Sequence, residues 1–184
     1  MINNTVEDIK GHIEAIMKLL ELPITESNKD TPLRVSKMWC NELFVNRNDR
    51  NLGDLEDSMK LFPNDYQSEM VIVKDIPFNS ICEHHWLPFS GTVTVGYVPD
   101  LYVIGLSKIP RVVKYFSKKP QLQEQLTTEI GEYLNSILCP TAIFVEVEAK
   151  HQCVMCRGAE SDCSTKTYYR NGEQNYYEEF KRRM

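Results

Sequence analysis

The chain has no run of apolar residues approaching the ~18 that a membrane span requires. Glycine is sparse, 8 in 184 residues, and no Gly-rich phosphate loop occurs, so a P-loop mechanism is not supported. There is no positive excess either. The net charge of −5 provides no global basic field to attract nucleic acid. Repeats and low-complexity segments are absent, and the composition is that of one ordinary globular domain. Met1-Ile2-Asn3-Asn4 lacks the basic and apolar regions of a signal peptide. The expectation is a cytoplasmic protein whose six cysteines serve metal binding or packing rather than disulfides.

The periodicity reads as a helix over residues 6–22, with Ile9, Ile13, Ile16, Met17 and Leu20 on one face. Thr31-Pro32 opens a second helix through about Phe44. Asn46–Glu56 is polar and aperiodic and reads as a loop. Met70–Ile76, Gly91–Val98 and Tyr102–Leu106 read as strands. Ser107 is placed to cap a helix ending near Phe116, and Pro120 to open another carrying Leu122, Leu126, Ile130, Leu134 and Leu138. Ala142–Ala149 and Thr165–Arg170 complete the strands. This order predicts an α+β domain, an antiparallel sheet with helices on one face.

Against that background two short segments stand out: Cys82-Glu83-His84-His85 and His151-Gln152-Cys153. They hold three of the four histidines and two of the six cysteines. Thiolate and imidazole are preferred zinc ligands. Cys82 and His85 are three apart, so one tight turn can aim both at one ion. With Cys153 the set is three ligands and an open position, as in a catalytic site. Adding Cys156 instead closes a Cys₃His structural cage, and spacing alone allows both. The open site is favoured because His84 and His151 beside the ligands serve no purpose in a cage, and because Arg157 suits an anionic ligand. Cys40, Cys139 and Cys163 read as apolar fillers.

Cationic residues form a second group. Ser107, Lys108 and Arg111 begin a predicted helix, a usual anion receptor. Arg34 and Lys37 share a helix face. Taken singly, each of these charges reads as a solvated surface residue. Together they have the charge to neutralise a triphosphate. Gln123-Glu124 lies on the helix after Pro120, where a carboxylate can accept two hydrogen bonds from a planar amidine-like edge such as guanine's. Sequence physics alone favours an exposed helix glutamate.

Thr31-Pro32-x-Arg34-x-x-Lys37, Cys82-Glu83-His84-His85-x-Leu87-Pro88-Phe89, Gly105-Leu106-Ser107-Lys108, Gln121-x-Gln123-Glu124-x-Leu126-Thr127 and His151-x-Cys153-x-x-x-Arg157-Gly158 together resemble GTP cyclohydrolase I. The resemblance covers residues from about 30 to 172. It implies residues 1–30 as an N-terminal helical segment and residues 31–184 as the catalytic domain. It implies the tunnelling fold, with sheets joining into a barrel across subunits of a decamer of two pentamers, and active sites at subunit interfaces. The implied reaction converts GTP and water to 7,8-dihydroneopterin triphosphate and formate, an entry to folate, pterin or 7-deazaguanine synthesis. Zinc on Cys82, His85 and Cys153 would activate the water that attacks guanine C8. His84 and His151 would transfer protons. Glu124, with Gln123, would anchor guanine. Lys108, Arg111, Arg157, Arg34 and Lys37 would hold the triphosphate, and Ser107 would contact the ribose region. Neither nucleic acid nor a membrane is an expected partner. Two positions depart from the family's pattern: Gln125 stands where arginine is common, and Pro110 where a small residue is usual.

Overall fold

The computed structural model describes residues 2–49 and 51–183. Helix α1 spans Ile2–Leu19 and α2 Thr31–Met38, with Pro32 in the first turn where its missing N–H costs nothing. A five-residue π-helical turn, Trp39–Leu43, continues α2. The segment expected to be a loop is not one. Arg47–Asp49 forms a 3₁₀ turn and Leu52–Ser58 a helix, α3. Its lack of apolar period is accounted for by a single anchor, Leu55, which alone is buried.

Strands β1 (Leu61–Pro63) and β4 (Tyr102–Ile104) pair with each other in a small sheet. The main sheet has the order β5-β2-β3-β6-β7, from β2 (Val71–Cys82), β3 (Pro88–Val98), β5 (Pro120–Gln121), β6 (Ala142–His151) and β7 (Ser164–Asn171). It is antiparallel except for the β2–β5 pair, which is parallel. Pro120 thus does not open a helix. It starts β5, and the helix α5 begins later, at Gln123, and runs to Leu138.

One face of the sheet carries Val93, Val95, Tyr97, Ile143, Val145 and Val147, packed against α4 (Lys108–Phe116) and α5 in the main core. Leu126, Ile130, Leu134 and Leu138 of α5 are all buried, each adding about 2 kcal/mol through the apolar surface it removes from water. Helices are not confined to this face, however. A C-terminal helix not foreseen from its polar sequence, α7 (Gln174–Arg183), sets Phe180 against Gly96 and Phe144, whose side of the sheet is the opposite one. A bare glycine at position 96 leaves room for the Phe180 ring. No helix among the described residues is long and apolar enough to cross a membrane.

Two features of β2 set the course of its C-terminal end. The strand continues beyond Ile76 through Pro77, which is tolerated because β5 lies beside β2 only at Ile81 and Cys82. Between Val73 and Ile76 the register with β3 slips by one residue, and Asp75 there has φ 57°. Such a bulge shifts the inward set from odd to even positions. Val71 and Val73 pack on the main core before it, and Ile76, Phe78 and Cys82 after it.

Candidate active site

Antiparallel order brings the end of β2, the start of β3 and the end of β6 to the same edge of the sheet. Parallel pairing adds the end of β5, and α5 starts from that edge. The short helix α6 (Gln152–Met155) follows β6 directly. A cleft of about 340 Å³ opens here, lined by Cys82, His84, His85, Gln121, Leu122, Gln123, Glu124, His151, Cys153, Val154 and Thr165. Four separate stretches of chain therefore contribute to one concavity.

Cys82 is the last residue of β2, and the turn to Pro88 is closed by two backbone bonds. The Cys82 N–H donates to the Leu87 carbonyl and the Trp86 N–H to the Cys82 carbonyl, each at 2.9 Å. This turn returns His85 toward Cys82, while α6 supplies Cys153. The ligand atoms of Cys82, His85 and Cys153 lie within 4.8 Å of one another, a group that could hold a metal ion. Cys156 is exposed and stands outside the group. Burial and the adjacent Cys82 sulfur push the Cys153 thiol up in pKa, and Arg157 opposes this. Two sulfurs crowded beside an imidazole are a donor set that a soft divalent cation fits.

His151, the last residue of β6, is half-buried. Its ring stacks on its cross-strand partner Phe89 with centroids 4.6 Å apart and planes within 1°. Burial lowers its pKa, and the Glu124 carboxylate partly offsets that shift. Its Nε2 lies 2.8 Å from Gln123 Oε1. The orientation of this amide follows from its other end. Gln123 Nε2 donates to the carbonyls of Val147 and Thr165 at 3.0 and 2.9 Å, and lies 3.2 Å from Thr167 Oγ1. Carbonyls only accept, so Oε1 must face the histidine. Nε2 of His151 then carries hydrogen, and Nδ1 is left for proton exchange. Gln123 is buried, and it acts on the cleft through His151 and the β6–β7 pair. Replacing it with leucine strands the two carbonyls and His151 Nε2. Thermal or denaturant unfolding of Gln123→Leu is expected to show a loss of about 2 kcal/mol or more.

A sequence model of GTP cyclohydrolase I matches residues 9–184. The chain belongs to the GTP cyclohydrolase I family. Proteins named GTP cyclohydrolase 1 that it resembles include one from Porphyromonas gingivalis, 42% identical over 86% of this chain and 81% of the relative. A second, from a Sulfurihydrogenibium species, is 45% identical over 83% and 80% of the two chains. A third, from Lactiplantibacillus plantarum, is 44% identical over 78% and 75%.

Of the residues that resemblance to GTP cyclohydrolase I implicates, Cys82, His84, His85, Gln123, Glu124, His151 and Cys153 all line the cleft. Glu124 is exposed in the first turn of α5. The cationic set does not line it within one chain. Ser107, Lys108 and Arg111 sit at the start of α4, and Arg111 lines a different hollow of about 790 Å³ between α3 and α4. That hollow is the larger one, yet it contains none of the Cys–His group. Arg34 is exposed on α2 with its guanidinium 3.7 Å from Asp30, and Lys37 is exposed on the same helix. Arg157 is exposed but near enough to act on the Cys153 thiol.

Both departures from the GTP cyclohydrolase I pattern are accommodated locally. Gln125 donates to Glu129 at 2.7 Å on α5, and Glu129 also pairs with Lys119 at 2.8 Å. Pro110 falls in the first turn of α4, where no intrahelical acceptor awaits its N–H. Thr165 and Val154, which also line the cleft, give no sign of their place in the sequence. A plain apolar or hydroxyl residue on a strand or short helix carries no signal of what it will face.

Proposed function

We propose that this chain hydrolyses GTP to 7,8-dihydroneopterin triphosphate and formate, with zinc held by Cys82, His85 and Cys153. The reading rests above all on one observation: the three donor atoms lie within 4.8 Å of one another, in a cleft shared with His84, His151 and Glu124, in a chain of this family. When bound, zinc supplies a Lewis acid that brings the pKa of water to about 7, so that water can add to guanine C8. Glu124 accepts hydrogen bonds from guanine N1–H and the 2-amino group, presenting C8 to the inner end of the cleft. His84 and His151 move protons as N7 is protonated, the imidazole ring opens and formate departs. Burial favours neutral His151, which suits it to take a proton at Nδ1. Phe89 and Gln123 keep its ring from turning. Rearrangement of the ribose and closure to the pterin complete the conversion.

In this reading residues 31–184 are the catalytic domain, the fold is the tunnelling fold, and subunits join their sheets in a decamer of two pentamers in the cytoplasm. The separation of Ser107, Lys108 and Arg111 from the cleft supports sites completed between subunits. Lys108, Arg111, Arg157, Arg34 and Lys37 then meet the triphosphate, and Ser107 the ribose.

Purified protein given GTP and zinc is expected to release formate and yield the fluorescent oxidised pterin, with zinc stoichiometric by elemental analysis. Absence of both products from zinc-loaded protein would reject the reading. Cys156→Ser is expected to keep both metal and turnover. A closed four-ligand cage predicts the opposite, loss of zinc and of the fold.

A further inference from the structure

Both tryptophans of the chain lie in one cluster beside the metal-type turn. Trp39 opens the π-helical turn, and Phe44 closes it by donating its N–H to the Trp39 carbonyl at 2.9 Å. This i to i+5 bond brings their rings into a stack at 5.9 Å. In a regular α-helix residues five apart point well away from each other, so the π-turn creates the pair. Against it lies the ring of Trp86, edge-on at 5.3 Å to Trp39 and 5.8 Å to Phe44.

Trp86 directly follows His85, and its φ is 53°. That left-handed conformation is ordinary for glycine or asparagine and unusual for a bulky side chain. A backbone so placed persists only where its surroundings over-determine it. Here they do. The Trp86 N–H is tied to the Cys82 carbonyl, and its ring, 54% exposed, rests edge-on against two aromatic rings from a different element.

We propose that Trp86 is a positioning residue for the metal centre: the Trp39–Phe44 stack holds its ring, and the left-handed backbone this imposes sets the direction in which His85 leaves the turn toward Cys82 and Cys153. The inference rests on reading those three residues as the zinc site. It also links the N-terminal helices to the metal loop, since Trp39 continues directly from α2.

Zinc dissociation constants of the full-length, metal-free protein, measured by competition with a chromophoric chelator, test this. Trp86→Gly is expected to bind zinc about 10- to 100-fold more weakly, the loss usual when a group that orients a ligand is removed. Trp39→Ala should weaken it in the same sense although it leaves the loop sequence intact. Trp86→Phe should stay within about threefold of the wild type, because an aromatic contact survives. If Trp86→Gly fails to fold, Trp39→Ala and Phe44→Leu decide. Wild-type zinc affinity in Trp39→Ala overturns the proposal, as does tighter binding in Trp86→Gly. A role in folding alone lowers the melting temperature of the metal-free variants and leaves the dissociation constant unchanged, and that pattern also overturns it. A wild-type protein that binds no zinc defeats the zinc-site reading itself, a result distinguishable from variants that bind zinc as well as a zinc-binding wild type.

Discussion

Cys153→Ala is expected to purify without stoichiometric zinc and to turn over GTP below detection. Cys153 supplies one of three donor atoms clustered within 4.8 Å, and each ligand lost removes a full coordinate bond. Removing a partner that merely supports a ligand already costs about 10- to 100-fold in affinity, so losing the ligand itself costs more. The effect on turnover is larger still. Zinc would bring the pKa of water from far above neutrality to about 7, so without the ion the nucleophile available at neutral pH falls by many orders of magnitude. Full zinc content with unaltered pterin formation in this variant would dismiss the three-ligand site.

His84→Ala and His151→Ala are expected to keep zinc and lose turnover by about 10²- to 10⁴-fold, the range general acid–base groups contribute. Both line the cleft without joining the ligand group. The two variants should differ in stability. His84 is exposed and its removal should leave the melting temperature near wild type. His151 stacks on Phe89 and donates to Gln123. Its removal leaves a buried amide oxygen without a donor, at about 1–3 kcal/mol. Zinc analysis and single-turnover rates on the same samples separate the roles. Metal loss in either variant would show that the histidine supports the ion, contrary to the proton-transfer role.

Much of this site is legible in the amino-acid sequence. Cys82, His85 and Cys153 draw attention because sulfur and imidazole at turn spacing are the donor types that zinc takes. Glu124 is far less legible. An exposed glutamate in the first turn of a helix is common, and only its place beside His151 distinguishes it. Gln123 resembles a substrate contact in sequence, whereas four protein atoms occupy its amide. Residues 46–56 read as a loop because one buried leucine cannot make a period, although α3 forms there. The C-terminal helix escapes notice for the same reason: it is strongly polar, and its one fully buried residue, Phe180, finds its place only against a sheet assembled from distant segments.

Local chemistry written into the chain determined which atoms can ligate, which can carry protons, and where helices and strands alternate. These properties come from residue type and from spacing over a few positions. Tertiary structure alone decided which of those atoms meet. The bulge at Asp75 turns Cys82 to the side of the sheet that the main core occupies. In an unbulged strand the two-residue period would aim it at the other face. Pairing of β3 with β6 then sets His151 on Phe89, and parallel pairing of β5 with β2 starts α5 at the cleft. Each of these depends on register between segments far apart in sequence, and register is settled by the burial of whole faces rather than by any one motif.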